Sequence, residues 1–125
     1  MPVRKDFLLD QLHEFFDVLQ QIAARLMERN LDKAEEKINE LWSAQTIARL
    51  TAEGDDPGLQ QEKFSFLRFQ TELLLLKIQL EQARGRDLKD LRQLAFTAVS
   101  RLINLRPDHY DLELQRHLRN LRDNS

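Results

Sequence analysis

The chain has 125 residues, no Cys, three Gly, three Pro and a formal net charge of −2. The lack of Cys excludes disulfides and thiolate catalysis, and the abundance of Leu, Gln, Glu and Arg favours helices over strands. The length suits one domain spanning residues 1–125. Acidic residues interrupt the first apolar positions, so we expect no signal peptide and a cytoplasmic protein.

The first helix is predicted over about residues 5–29 by an apolar pattern of four- and three-residue spacings. Its main stripe comprises Leu8, Leu12, Phe15, Leu19, Ile22 and Leu26. Four further residues widen the apolar face: Leu9, Phe16, Ala23 and Met27. Asn30 suits a left-handed helix end, and Asp32 followed by Glu35 resembles an N-cap. A second helix to about residue 50 would complete an antiparallel hairpin. Its inward residues would be Ala34, Ile38, Leu41, Trp42 and Ala48, with Ile47 as a further candidate.

The segment 51–58, TAEGDDPG, is a predicted loop, and the helix that follows it, at about residues 58–84, is the centre of the predicted fold. One apolar stripe of this helix comprises Phe66, Phe69, Leu73, Leu76 and Leu80. The other comprises Phe64, Leu67, Leu74, Leu75 and Ile78. A helix that is apolar on two sides must be covered from two directions, by other helices or by a second subunit.

Two more helices are predicted after Gly85, at which the central helix should end. Asp87 can cap a helix that runs to about residue 105, and Pro107 with Asp108 starts the last helix. Apolar stripes support both helices and include Leu88, Leu91, Ala95, Ala98, Leu102, Tyr110, Leu114, Leu118 and Leu121. The predicted fold is therefore all-α, with five antiparallel helices arranged as two hairpins and a closing C-terminal helix.

Two segments carry the spacing of a small residue followed by apolar residues four and seven positions later. The first comprises Ala34, Ile38 and Leu41, and the second comprises Ala95, Val99, Leu102 and the following Pro107. In both segments the chain resembles tetratricopeptide-repeat proteins. The segment 6–42 is also similar to small uncharacterised bacterial all-helical proteins. The resemblance implies a helical-hairpin scaffold that binds peptides or proteins, without catalytic residues.

The sequence therefore predicts a non-catalytic protein-interaction or scaffold module that self-associates, as a homodimer, or binds a partner helix or peptide. Its apolar side chains would form the contact. The candidate interface residues are Phe7, Phe15, Val18, Trp42, Phe66 and Phe69. We expect no cofactor and no contact with a membrane. The four serines lack a sharp glycine turn and a local base, which argues against nucleophilic catalysis.

Two alternative functions depend on polar clusters. Asp10, His13 and Asp17 have helical spacing and could hold a metal in a small bundle protein or enzyme, although a solvated face explains them as well. Residues 84–125 hold nine Lys and Arg against six Asp and Glu, which makes this third of the chain basic. Its candidate patch for an anion, an acidic partner or, weakly, a nucleic acid comprises Arg106, His109, Arg116, Arg119 and Arg122.

Overall fold

In the computed structural model, helices account for the regular structure. The model describes the backbone of residues 2–52, 60–105 and 111–123, and the side chains of residues 13–49, 51, 64–105 and 111–122. Within these ranges there is no strand, and the six helices are α1 Pro2–Met27, α2 Leu31–Leu41, α3 Ala44–Ala52, α4 Gln60–Ala83, α5 Lys89–Leu105 and α6 Leu112–Asp123. The all-α prediction is confirmed, whereas the expected five helices become six. None of the helices described has the length and apolarity needed to cross a membrane.

The extra helix arises because the predicted second helix breaks at Trp42 and Ser43. Trp42 has an extended backbone, with φ −81° and ψ 141°. The Ser43 hydroxyl then accepts a hydrogen bond of 3.1 Å from the Thr46 N–H, which makes Ser43 the N-cap of α3. Because α3 continues to Ala52, it also includes the first two residues of the predicted loop; residues 53–59 of that loop lie outside the described part.

Gln70 of α4 binds the backbone on both sides of this break. Its side-chain Nε2 donates to the Leu41 carbonyl at 2.9 Å, and its Oε1 accepts from the Ser43 N–H at 3.0 Å. The last carbonyls of a helix have no hydrogen-bond partner within that helix, and the same is true of the first N–H groups of the next helix. One amide side chain therefore satisfies one group of each kind where α2 ends and α3 begins.

The two apolar stripes of α4 are both buried, as predicted. One side forms the α1–α2 cluster, whose fully or nearly fully buried members are Ile22, Ala34, Ile38, Phe69, Leu73 and Leu80. The other side forms the α5–α6 cluster, which includes Ile47, Leu67, Leu74, Ile78, Ala95, Ala98, Val99, Leu102, Leu114 and Leu121. Burial is incomplete at four positions: Phe66 is exposed, and Phe64, Leu75 and Leu76 are only partly buried.

The break between α2 and α3 lets the chain cross from one side of α4 to the other. Ala34 and Ile38 of α2 belong to the α1–α2 cluster, whereas Ile47 of α3 is fully buried in the α5–α6 cluster. Helix α3 accordingly contacts both α4 and α5. Ala48, predicted to face inward, is exposed, because the new helix axis turns the Ile47 face toward the core.

The turn between α1 and α2 differs in detail from its prediction. Arg29, not Asn30, adopts the left-handed conformation, with φ 59°. The Asn30 N–H donates to the Arg25 carbonyl at 2.8 Å, which closes the end of α1. Asp32 is not the N-cap, because α2 already begins at Leu31; its carboxylate binds Arg84 at 2.8 Å instead.

The ends of the later helices agree better with the sequence pattern. Gly85, with φ 71°, follows α4 as predicted, and the Arg86 N–H donates to the Glu81 carbonyl at 2.9 Å. Asp87 accepts a hydrogen bond of 3.1 Å from the Lys89 N–H at the start of α5. The described helix α6 begins at Leu112, and Asp111 is its cap, since its carboxylate accepts from the Leu114 N–H at 3.1 Å. The predicted start at Pro107 and Asp108 lies outside the described residues.

Replacing Gln70 by Ala should lower the free energy of unfolding by about 1–3 kcal/mol, because the Leu41 carbonyl and the Ser43 N–H would lose their partner in a partly buried site. Urea denaturation followed by circular dichroism would measure the loss. Gln79→Ala is the matched control on the same helix, where the exposed side chain should contribute less than about 0.5 kcal/mol. Equal stability of the two variants would contradict the role of Gln70.

Replacing Arg29 by Gly should raise the free energy of unfolding by about 1 kcal/mol, because glycine adopts the left-handed conformation without the steric cost of a Cβ atom. Arg29→Ala is the control, since it removes the exposed side chain but keeps the Cβ. Thermal unfolding should show a higher midpoint for the glycine variant alone; a gain of the same size in both variants would refute the steric explanation.

Candidate functional site

A groove between α1 and α4, with a volume of about 410 Å³, is the main apolar opening that we consider for a protein partner. We call it the aromatic groove. It is lined by Phe15, Phe16, Leu19, Gln20, Ala23, Ser65, Arg68, Phe69, Glu72, Leu76 and Glu113. The partly buried Leu76 therefore lies in its wall rather than in the core.

Aromatic rings organise the groove. Phe15 of α1 and Phe69 of α4 stack with ring centroids 4.1 Å apart and planes inclined by 11°. The ring centroid of Phe66 lies 5.7 Å from that of Phe15, with the two planes inclined by 57°. Such pairs add stabilisation beyond the area that they bury, so the rings give the groove a rigid apolar base.

Two of the phenylalanines remain open to solvent. Phe16, in the groove wall, is 60% exposed, and Phe66 beside the groove is 41% exposed. The sequence placed Phe16 on the widened apolar face of the first helix and named Phe66 as a candidate interface residue. They stay exposed because the apolar arc of each helix is wider than the surface that its neighbours cover. Met27 shows the same effect and is 85% exposed.

The predicted interface residues fall into two places. Phe15, Phe66 and Phe69 meet at the aromatic groove, and Val18 packs partly buried against the α1–α2 cluster. The side chain of Phe7 lies outside the described residues. Trp42 also packs against the α1–α2 cluster and in addition against the α5–α6 cluster, with the Lys77 ammonium 5.0 Å from its ring centroid. Trp42 therefore serves packing within the chain.

One end of the groove carries a network of charges that sequence reasoning missed, here called the Arg68 network. The Arg68 guanidinium lies 3.1 Å from Glu72, 3.0 Å from Asp111 and 3.2 Å from Glu113. His117 adds a second link, with Nε2 3.3 Å from Glu72 and 3.6 Å from Glu113. Since Arg68 and Glu72 belong to α4 and Glu113 and His117 to α6, the network joins these two helices.

The network shifts the pKa values of its members. Burial opposes the charged form of His117, but the adjacent carboxylates of Glu72 and Glu113 outweigh it and raise the His117 pKa above 6.5. Burial likewise opposes ionisation of Glu72, and there His117 and Arg68 outweigh it and lower the pKa below 4.5. The network therefore favours a charged His117 against an ionised Glu72.

The donor atoms of Glu72, Glu113 and His117 lie within 4.8 Å of one another, a spacing that could hold a divalent cation. Arg68, however, already occupies both carboxylates. The arrangement therefore favours an ion-pair network over a metal centre. It also gives little support to acid–base chemistry, because His117 does not line the groove and its Nε2 is buried.

The predicted metal trio and anion patch are only partly within the described residues. His13 and Asp17 are exposed on α1, and the side chain of Asp10 lies outside the described part. Arg116, Arg119 and Arg122 are exposed on α6, whereas Arg106 and His109 fall in the segment 106–110, which is not described. The described side chains therefore include only part of each cluster.

Comparison with protein-family models, with curated proteins and with solved structures found no match to this chain. The resemblance to tetratricopeptide repeats thus stays a prediction. Of the small and apolar residues that suggested it, Leu41 is partly buried, and the others are buried: Ala34, Ile38, Ala95, Val99 and Leu102.

The raised pKa of His117 predicts a pH-dependent contribution to stability. The charged imidazole should stabilise the folded protein fully below pH 6.5, and this contribution should be lost as the pH rises through the raised native pKa. His117→Gln should therefore cost on the order of 1 kcal/mol near pH 6 and less at alkaline pH. Denaturant unfolding at several pH values measures this difference, and a cost that does not change with pH would disprove the assignment.

Proposed function

We propose that the chain is a non-catalytic protein-interaction module, and that a second copy of the chain is its partner at the aromatic groove. The observation that carries the proposal is the exposure of Phe16, 60% open to solvent in the wall of an apolar groove. An exposed aromatic side chain beside an apolar depression, with a polar rim, is typical of a protein-binding surface.

The position of Phe16 favours a second copy over an unrelated partner. The protruding ring and the depression that could receive a ring belong to the same surface patch. In a two-fold symmetric dimer the same patch meets itself, so each copy can place its Phe16 in the groove of the other. A closed dimer then uses both features at once.

The energetics of such a contact are favourable. Burying one phenylalanine side chain contributes about 1.5–3 kcal/mol, and a symmetric dimer buries Phe16 twice. The stacked Phe15 and Phe69 already hold the base of the groove in place, which limits the ordering cost on binding. The charged Arg68 network at one end would form part of the polar rim.

The proposal predicts that light scattering coupled to size exclusion will give about twice the chain mass of 14.8 kDa for the wild type. Phe16→Glu should shift this mass to that of the monomer, because two carboxylates would be buried without partners at the contact. Since Phe16 is exposed in the single chain, the variant should keep the helical circular dichroism of the wild type.

Met27→Glu is the matched control, because it places the same charge at another exposed apolar position near the end of α1. It should remain dimeric. A wild-type protein that stays monomeric at high concentration, or a Phe16→Glu variant that stays dimeric, would overturn the proposal.

A further inference from the structure

The two sides of α4 are covered by parts of the chain that meet at few points. On one side, α1 and α2 contact each other and α4, and we call them the α1–α2 pair. On the other side, α3 contacts α4 and α5, and α5 contacts α4 and α6. In the described part of the chain, the backbone of the α1–α2 pair approaches neither α5 nor α6. The pair is therefore attached to the molecule through α4.

Few fully buried side chains hold this pair on α4. Ile22 is the one buried residue of α1 within residues 13–27, and Ala34 and Ile38 are the buried residues of α2. Helix α5 alone buries five residues: Ala95, Ala98, Val99, Leu102 and Leu105. Segments that bury few apolar side chains open more readily than the rest of a protein. The α1–α2 pair is therefore the less firmly held part of the described structure.

Polar contacts fasten both ends of α2. At its start, the guanidinium of Arg84, the residue that follows α4, lies 2.8 Å from Asp32 and 3.0 Å from Glu35. At its end, the Gln70 amide donates to the Leu41 carbonyl at 2.9 Å. These contacts would break together if α2 left α4, so they act as a polar clamp on the α1–α2 pair.

The break between α2 and α3 provides a hinge. Trp42 has an extended backbone there, so a change in its dihedral angles can reorient α2 without unwinding either helix. The chain after the break is anchored, because Ile47 of α3 is fully buried in the α5–α6 cluster. Trp42 packs against both clusters, and on opening it would lose its contacts with the α1–α2 cluster.

We propose that the α1–α2 pair opens from α4 as one unit about Trp42 and Ser43, while α3, α4, α5 and α6 stay packed, and that this motion makes and dismantles the aromatic groove. The open state exposes the side of α4 that carries Leu73 and Leu80, which are buried in the closed state. The motion belongs to a single chain, so the inference does not rest on the proposed dimer.

The groove needs the closed state because its walls come from both sides of the moving contact. Helix α1 supplies Phe15 and Phe16, and α4 supplies Phe69 and Leu76. The stack of Phe15 on Phe69 would separate on opening. Any occupant of the groove favours the closed state, since it binds that state better. The polar clamp at α2 thereby controls the groove without lining it.

Native-state hydrogen exchange tests the opening. It is read by mass spectrometry on dilute wild-type protein at urea concentrations below the unfolding transition. The amides of α1 and α2 should share one protection factor, at least about ten-fold below that of the slowest amides of α5. Equal protection of the α1–α2 pair and α5 would overturn the proposal.

Two matched variants separate this opening from unfolding of the whole chain. Ile38→Val and Ile78→Val each remove one methyl group from a buried isoleucine, the first in the α1–α2 cluster and the second in the α5–α6 cluster. Ile38→Val should speed exchange in the α1–α2 pair by about five-fold, because opening loses its contacts. Ile78→Val should leave exchange in the pair unchanged, since Ile78 stays packed in the open state. An equal acceleration in both variants would show unfolding as one unit and refute the proposal.

Two further variants test the clamp and the independence from a dimer. Gln70→Ala should speed exchange in the α1–α2 pair by about ten-fold, and Gln79→Ala, on the same helix, should leave it unchanged. Phe16→Glu should keep the exchange pattern of the wild type, whatever its effect on the mass of the particle. Loss of the pattern in Phe16→Glu, or no acceleration in Gln70→Ala, would contradict the proposed motion.

Discussion

The burial of α4 on two sides is the constraint on which the rest of the structure depends. Leu73 and Leu74 are neighbours in sequence, point into different clusters and are both inaccessible to solvent. No single hairpin can cover both sides of such a helix, so the chain must supply helices on each. The α1–α2 pair covers one side, and α3, α5 and α6 contribute to the other. The central helix thereby sets the order in which the other elements pack.

The crossing between these two sides requires a break in the chain, and α4 itself stabilises it. Gln70 and Lys77 are polar residues one heptad apart, between the two apolar stripes. Gln70 binds the backbone at the break, and the Lys77 ammonium lies 5.0 Å from the Trp42 ring centroid. The polarity of Gln70 has a structural reason, since buried backbone groups need hydrogen-bond partners. The polar positions between the two apolar stripes of α4 therefore contribute contacts to the fold.

Helical periodicity was sufficient to predict the helical class, both stripes of α4 and the helix end at Gly85, because those features depend on local spacing. It missed the break at Trp42 because no Gly or Pro marks it. Two features of the sequence could have indicated the break: Ser43, a residue type that favours N-cap positions, and the interruption of the apolar spacing before Ile47. The Arg68 network could not be predicted, since Arg68 and Asp111 are 43 positions apart in sequence. Periodicity assigned Phe16 to the apolar face of α1, but it does not measure how far a neighbouring helix covers that face, and Phe16 is 60% exposed.

The charge along α6 differs between its two ends. Asp111 and Glu113 at its start are bound by Arg68, beside the aromatic groove, whereas Arg122 lies in its last turn. This order suits the helix dipole, which favours acidic groups at the N-terminal end and basic groups at the C-terminal end. Arg68 of α4 binds the acidic residues at the start of α6, whereas Arg116, Arg119 and Arg122 are exposed along the rest of the helix. The ion pairs that join α6 to α4 therefore use its acidic N-terminal end, beside the aromatic groove.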